Sequence, residues 1–306
     1  MFEIISIQIF KMLLLLLLGV FCFRTGLIDQ RGSKTLANLL LMVISPVLAV
    51  LCLQTDYSAT LVRGLLLSYG LAILTHVGMM LLSTLLIRKT GNPDYSIDRF
   101  SAMYSNCGFM GIPLVQSVLG NEGVLYLTAY MIVFNVFVWT HGVAVMTEKT
   151  SFRNITKALL SPVIIGNVIG MLLFFLEIRL PDVVADTCQY IADMNTPIAM
   201  IIAGVSVAQA NIPGMLKKKK LYLISAFKLL LMPAIVLVAL ILLPLPSTVA
   251  YTIMIAASCP AAATCTAFAL RFQKNDTYAS ELYAFTTLCS ILTVPVFIFA
   301  AERLIL

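Results

Sequence analysis

The chain has 306 residues, of which 60% are hydrophobic and 11% are charged. Charged residues make up about a quarter of an ordinary soluble domain, so this composition excludes a soluble globular protein and indicates a polytopic membrane protein. The formal net charge of +6 lies almost entirely in loops between apolar stretches. The charge therefore does not indicate a nucleic-acid partner, and the lipid bilayer is the expected surrounding.

The hydropathy pattern predicts ten membrane spans, since a spanning helix needs about 20 apolar residues. In chain order they are 4–23, 35–53, 62–87, 99–119, 123–146, 160–178, 187–209, 221–243, 249–272 and 281–300. Short loops join them, so the predicted fold is all-α and no room remains for a soluble domain. We interpret the first span as a retained helix rather than a signal peptide, because no small-residue cleavage pattern follows it.

Two halves are predicted, 1–146 and 160–306, joined by a short cytoplasmic linker at 147–159. Each half holds five spans, an odd number, so homologous halves must have inverted topology. Glycine and proline recur in the same order about 150 residues apart, as Gly19, Pro46 and Pro113 in the first half and Gly170, Pro197 and Pro260 in the second. This pattern favours an inverted repeat.

Basic residues accumulate in cytoplasmic loops of membrane proteins and so predict orientation. Fifteen Lys and Arg residues follow spans 1, 3, 5, 7 and 9, including the run at 217–220, whereas the opposite side has only Arg63, Arg179 and Arg303. We therefore expect a multi-pass protein of the cell membrane with both termini outside. The run at 217–220 is read as an ordinary cytoplasmic loop, with an anionic-lipid or regulatory site as the alternative.

Two spans are interrupted near their centres, the fourth by Gly108, Gly111 and Pro113 and the ninth by Pro260. A break at mid-membrane frees backbone groups that lipid cannot satisfy, so it is tolerated only against a cavity or other protein. Matching interrupted spans in two halves indicate a transporter substrate site. The second half of each span, starting near its proline, would present a helix N-terminus to the bilayer centre and so favour an anion.

Small polar residues flank both breaks and, with the glycines and prolines, form the predicted substrate site. Its members are Ser105, Asn106, Cys107, Gly108, Gly111, Pro113, Ser258, Cys259, Pro260 and Thr264. Asn106 is the leading candidate, because an amide offers two donors and an acceptor. The alternative for Asn106 is a cap on the broken backbone, and for Ser258 and the threonines it is a bond to their own helix.

Three further polar residues inside spans are candidates for ion coupling or charge pairing. Asp193, in the outer part of span 7, would carry a proton or sodium ion or pair with a lysine; the alternative is an interfacial aspartate. Lys228 in span 8 would attract anions or extend to the cytoplasmic face. Asn135 in span 5 is an inward-facing candidate, with helix–helix contact as its more ordinary role.

The sequence has no pattern typical of an enzyme or a cofactor-binding protein. The seven cysteines form no C-x-x-C pair, and His76 and His141 have no metal-ligand spacing with acidic residues. No catalytic set and no nucleotide-binding glycine motif is present. We therefore expect neither an enzyme nor a cofactor.

Four segments resemble the auxin efflux carrier family, which includes plant PIN-formed carriers and bacterial malate and malonate permeases. They are NCGFMGIPLVQSVLGNEG at 106–123, SPVIIGNVIGMLL at 161–173, NTPIAMIIAGVSVAQA at 195–210 and ASCPAAATCTAFALRF at 257–272. The resemblance implies two inverted five-helix repeats and a scaffold of helices 1, 2, 6 and 7. It also implies a mobile part with crossed, broken helices 4 and 9, an elevator-type movement and a homodimer joined through the scaffold.

By this resemblance, Asn106, Gly108, Gly111 and Pro113 belong to the first crossover and Pro260 to the second. Span 9 has no asparagine at its break, which departs from symmetric amide coordination. The linker between spans 5 and 6 is only about a dozen residues long, which resembles bacterial members and favours a small organic acid over auxin.

The expected function is secondary transport of small organic anions, such as malate, malonate or auxin-like acids. Two alternatives stay open. One is a symporter coupled to sodium or protons that carries another solute on a related inverted-repeat fold. The other is a membrane sensor that binds a solute without moving it.

Overall fold

The computed structural model describes residues 2–148 and 160–305, and all the regular structure within those ranges is helical. Most of the predicted linker, including Lys149, Arg153 and Lys157, lies outside them. We number the helices α1 Phe2–Arg24, α2 Gln30–Cys52, α3 Ala59–Leu86, α4 Tyr95–Met103, α5 107–119, α6 121–147, α7 Pro162–Phe175, α8 Asp182–Gln209, α9 Ile212–Met215, α10 Lys219–Ile241, α11 Ser247–Ser258, α12 Thr264–Arg271 and α13 Asp276–Leu304.

Apolar helices dominate the described residues. Seven stretches are long and apolar enough to cross a membrane, one of them the α5–α6 stretch, and α7 and α11 are shorter apolar helices. Leucine, isoleucine and phenylalanine side chains lie exposed along α1, α3, α7 and α10, where a soluble protein would carry polar residues. The predicted class, an all-helical polytopic membrane protein, is confirmed.

Glycine residues bring α1 and α8 into backbone contact. A Cβ atom on Gly204 would lie 2.9 Å from the Cα of Gly19, and a Cβ on Gly19 would lie 2.9 Å from the Cα of Ile201. Helices in lipid gain little from burying apolar surface, so close packing of small residues is what holds them together. These glycines therefore fix the contact between the first helix and the second part of α8.

A second glycine contact joins α2 and α7. A Cβ on Gly166 would lie 2.8 Å from the Cα of Pro46, and one on Gly170 would lie 3.1 Å from the Cα of Val50. Each of these two helix pairs thus has one member from each half of the chain.

Three helices widen into a single π-helical turn two residues before a proline. The turns are Leu40–Ile44, Cys107–Gly111 and Phe227–Leu231, followed by Pro46, Pro113 and Pro233. A proline ring clashes with the carbonyl group four residues earlier and cannot donate to it. The wider turn relieves this clash, so the helix continues through the proline with a bulge instead of a break.

The predicted position of the first break was therefore wrong. Gly108 and Gly111 lie in the π turn and Pro113 lies inside the helix, whereas the chain is non-helical at 104–106, between α4 and α5. The second interruption, at 259–263, surrounds Pro260 as predicted. At the far end of α5 the chain turns at Gly120, whose φ of 62° and ψ of −153° are accessible mainly to glycine.

The end of α4 remote from the break is held by a buried carboxylate. Asp98 is fully buried and accepts hydrogen bonds from Asn92 Nδ2 and Tyr278 Oη, both at 2.8 Å. Lys220 Nζ lies 2.9 Å from the same carboxylate. Part of the lysine run at 217–220 thus ties α10 to α4 and α13.

Candidate functional site

The two non-helical segments meet in the interior of the protein. Ser105 and Ala261 form an isolated antiparallel bridge, in which Asn106 N donates to the Pro260 carbonyl at 2.8 Å and Ala262 N donates to the Tyr104 carbonyl at 2.9 Å. All six residues are buried. Each segment thereby satisfies backbone groups that the other's break leaves free, which makes both interruptions tolerable away from water.

Lys228 reaches this bridge from α10. Its side chain is fully buried, and Nζ donates to Ser105 Oγ at 2.5 Å. Ser105 Oγ in turn lies 3.4 Å from the Ala257 carbonyl, to which it donates. Lys228 follows the start of α10 by nine residues, a rise of about 14 Å, so the ammonium group lies deep in the span and does not extend to the end at which α10 begins.

No carboxylate of the described residues lies within ion-pair distance of Lys228. A lysine at the centre of a bilayer costs about 2.5–3.5 kcal/mol on insertion scales. The nearest compensation is weak, namely the serine hydroxyl and the carbonyl ends of α4 and α11, which carry a partial negative charge. A protonated Lys228 therefore has no counter-charge among the described residues.

Asn106 occupies the cap position of α5 and is 5% exposed. Its side chain makes no capping hydrogen bond, and Nδ2 has no partner. The Tyr283 hydroxyl lies close to it and is also unpaired. Because an unpaired buried donor costs about 1–3 kcal/mol, these groups are available to a ligand.

The polar residues of α13 were missed by the sequence interpretation. Tyr283, Thr286, Thr287 and Ser290 are all buried, and Thr286 Oγ1 accepts from Ala261 N at 3.2 Å. The hydroxyls of Tyr283 and Thr287 are unpaired. Their spacing of i, i+3, i+4 and i+7 places them on one helical face, and this spacing is the signal that identifies the wall of the site.

The other predicted residues of the second break bond mainly within their own helix. Ser258 Oγ donates to the Met254 carbonyl at 2.8 Å, and Cys259 Sγ donates to the Ile255 carbonyl at 3.3 Å. Thr264 differs, because its Oγ1 is buried without a partner at the start of α12.

On the α5 side, Cys107 and Gly111 lie near Cys259. A Cβ on Gly111 would lie 3.4 Å from the Cys107 Cβ and 3.5 Å from Cys259 Sγ. A Cβ on Gly108 would lie 3.4 Å from Met131 Cε. All three distances are ordinary van der Waals contacts, so these glycines supply room beside the bridge.

Two predicted residues are placed outside the bridge. Asp193 is exposed and accepts a hydrogen bond from Gln189 Nε2 at 2.7 Å. Asn135 is half-buried and donates to the carbonyl of Met131 in its own helix at 2.9 Å. The structure thus separates Asp193 and Asn135 from Lys228, the third member of that predicted group.

A polar cavity of about 360 Å³ lies between α2, α5 and α8. Ile112 and Gln116 of α5 line it on one side, and Asp193 and Asn195 of α8 line it on another. Asn195 is buried, and both polar atoms of its amide are without a partner. The cavity therefore opens between the glycine-packed helices and α5, which begins directly after Asn106.

A protein-family model described as "Membrane transport protein" matches residues 4–154 and 143–298, which together cover nearly the whole chain. The chain belongs to this family, the auxin efflux carrier family of membrane transport proteins. The resemblance predicted from the four sequence segments is confirmed, and the protein is a membrane transporter. A search of curated proteins gives no match.

Proposed function

We propose that this member of the auxin efflux carrier family is a secondary transporter of small organic anions, which bind at the bridge between the two broken spans. The observation that carries the proposal is Lys228, a fully buried ammonium group with no carboxylate of the described chain within ion-pair distance. A substrate carboxylate supplies the missing negative charge. A neutral or cationic solute leaves that charge uncompensated.

A helix N-terminus and an unpaired amide near Lys228 also favour an anion. The helix formed by α5 starts directly after Asn106, so the first amides of this helix lack carbonyl partners within it and carry a partial positive charge. Asn106 Nδ2 adds an unpaired donor. A carboxylate held between Lys228 Nζ and Asn106 Nδ2 would receive charge-assisted hydrogen bonds, which are stronger than neutral ones.

The packing supports two inverted repeats of five crossings. Counting α4–α5 and α11–α12 as single broken spans, α1, α2, α3, α6, α7, α8, α10 and α13 complete ten. In an inverted repeat, α1 corresponds to α7 and α2 corresponds to α8. Exchanging the two halves therefore turns the α1–α8 contact into the α2–α7 contact, as such a repeat requires. The glycine-packed set then forms a scaffold, and the remaining helices form the moving part.

In this arrangement the polar cavity is the path to the site from one side of the membrane. It lies between the scaffold helices α2 and α8 and the moving helix α5, and Ile112 in its lining donates to the carbonyl of Cys107, beside Asn106. Sliding of the moving helices past the scaffold would close this path and open one on the other side. The proposed cell-membrane topology, with both termini outside, makes the cavity the extracytoplasmic path, and the proposed homodimer joins two scaffolds.

The experiment is uptake of labelled malate, malonate and an auxin by proteoliposomes that contain the purified protein. We expect saturable uptake of at least one acid and none of a cation such as choline. Asn106→Ala should weaken apparent affinity for the acid about 5- to 20-fold, because one hydrogen bond to a charged group is worth about 1.5–3 kcal/mol and water regains part of it. The matched control is Asn135→Ala, whose amide bonds only to its own helix.

Unchanged kinetics in Asn106→Ala would remove this residue from the site. Tight binding of an acid without any flux would contradict transport and identify a sensor. Uptake of cations or neutral solutes in preference to acids would contradict the anion site as a whole.

A further inference from the structure

A second buried titratable group lies beside the bridge and has no role in the site described above. His76 of α3 is fully buried, and its Nδ1 lies 2.8 Å from the Ala72 carbonyl. A carbonyl can only accept, so Nδ1 carries the hydrogen and Nε2 is the basic nitrogen. Nε2 is buried without a hydrogen-bond partner.

The titratable groups facing His76 come from three packed elements, and a fourth group lies behind them. Tyr130 of α6 lies with its ring centroid 4.9 Å from the imidazole, and Tyr104, at the end of α4, lies at 6.4 Å. Lys228 of α10 is within electrostatic range of the imidazole, and Cys259, next to α11, is within range of Lys228. Nearby titratable groups are thus phenols, a thiol and one ammonium, with none of the described carboxylates among them.

The Tyr130 side chain lies beside both His76 and the bridge. Its hydroxyl has no hydrogen-bond partner and lies near Ser105, the residue that binds Lys228. A proton on His76 Nε2 would therefore lie within the same buried polar cluster as the substrate carboxylate.

We propose that His76 is the proton-binding site that couples anion transport to a proton gradient, so that one proton and one carboxylate cross together. This inference rests on the proposed function. The step is an acid–base equilibrium, in which Nε2 takes a proton from water on the side where the site is open. The same proton returns to water on the other side, and no other bond forms or breaks.

The coupling follows from the charges. Without substrate, Lys228 already places one positive charge in a low-dielectric interior, which disfavours a second charge on His76. A bound carboxylate cancels the first charge and makes protonation of His76 favourable. By linkage, a protonated His76 strengthens anion binding by the same factor, typically 5- to 150-fold. The loaded site carries Lys228, the histidine proton and one carboxylate, a net charge that is the same as in the empty site.

The test uses proteoliposomes with the membrane potential clamped at zero by valinomycin and equal potassium. For one-to-one coupling, an inward proton gradient of one pH unit should raise the steady-state accumulation of acid up to about tenfold, compared with vesicles that have no proton gradient. Protein-free vesicles correct for passive entry of the undissociated acid. A pH dye inside weakly buffered vesicles should report one proton per acid taken up.

His76→Gln keeps a side-chain donor for the Ala72 carbonyl but cannot titrate. We expect this variant to transport acid down its own gradient while losing accumulation driven by the proton gradient. The control is His141→Gln, at the other histidine, which lies 3.1 Å from the Tyr104 hydroxyl and should retain coupling.

If acid flux in the native protein does not depend on the proton gradient, the coupling proposal is wrong, whereas the proposed anion transport is unaffected. Retained coupling in His76→Gln would overturn the assignment to this residue. If His76→Gln fails to fold, the dye measurement on the native protein still decides between one proton per acid and none. Absence of any acid flux would instead overturn the proposed function.

Discussion

Lys228→Met tests the charge at the centre of the site. The methionine side chain nearly matches the length of lysine but has no charge and no donor. A hydrogen bond to a charged group contributes about 1.5–3 kcal/mol, so loss of the ammonium should weaken acid binding about 10- to 150-fold. The magnitude is this large because Lys228 is the one fully buried cation of the described chain.

The effect on stability should have the opposite sign. Lys228 is held by Ser105 Oγ and by no described carboxylate, and Ser105 keeps its bond to the Ala257 carbonyl in the variant. Removing an uncompensated charge from the interior recovers part of its desolvation cost. The thermal midpoint of the ligand-free protein in detergent should therefore stay unchanged or rise.

The assay compares acid-dependent stabilisation and proteoliposome uptake for the native protein, Lys228→Met and Lys11→Met. Lys11 lies exposed on α1, so its replacement controls for loss of a lysine from a membrane span. Native-like affinity in Lys228→Met would refute the reasoning. A fall of several degrees in its ligand-free midpoint would show instead that the lysine serves packing.

Two further predictions concern stability. Gly204→Ala should destabilise the protein by about 1–3 kcal/mol, since overpacking costs this much and its Cβ would lie 2.9 Å from the Cα of Gly19. Gly70→Ala in α3 meets no atom within 4 Å and should leave the thermal midpoint in detergent equal or higher. A parallel fall in both would contradict the packing argument. Outside the predicted spans, the hydrogen bond from Lys89 lowers the pKa of Glu148 and raises the pKa of Lys89. The small stabilisation from this pair is therefore present at neutral pH. On the acid side, this stabilisation is lost as the pH falls below the ordinary carboxyl pKa of 4.5 and then through the lowered pKa of Glu148. On the alkaline side, it is lost as the pH rises through the raised pKa of Lys89. The difference in midpoint between native protein and Glu148→Gln should shrink steadily as the pH falls from 7 to 3, and a constant difference from pH 3 to 8 would contradict this.

Hydropathy predicted the helical membrane class and the approximate position of most helices. This was possible because a membrane span is a continuous apolar segment, which can be recognised from the sequence alone. The exact site of the first break was not predictable from proline. Pro113 is accommodated by a π turn, while the chain opens at 104–106 where Asn106 and its neighbours pair with 260–262. That pairing depends on contacts more than 150 residues apart in the chain, which local patterns do not report.

Some site residues could likewise be predicted from the sequence, and others could not. Asn106 was predicted because an amide at a break is visible in sequence. Lys228 was ambiguous, since the direction of a long side chain inside a span depends on which neighbour can accept its hydrogen bond, and that neighbour is Ser105. The polar face of α13 carries a readable spacing, but its role follows only from Thr286 meeting Ala261 N.

The most direct test of the anion site is a cryo-electron microscopy map of the protein in lipid nanodiscs with a transported acid bound. We predict carboxylate density in contact with both Lys228 Nζ and Asn106 Nδ2. Density confined to the polar cavity lined by Asp193, with Lys228 still bonded only to Ser105, would contradict the account.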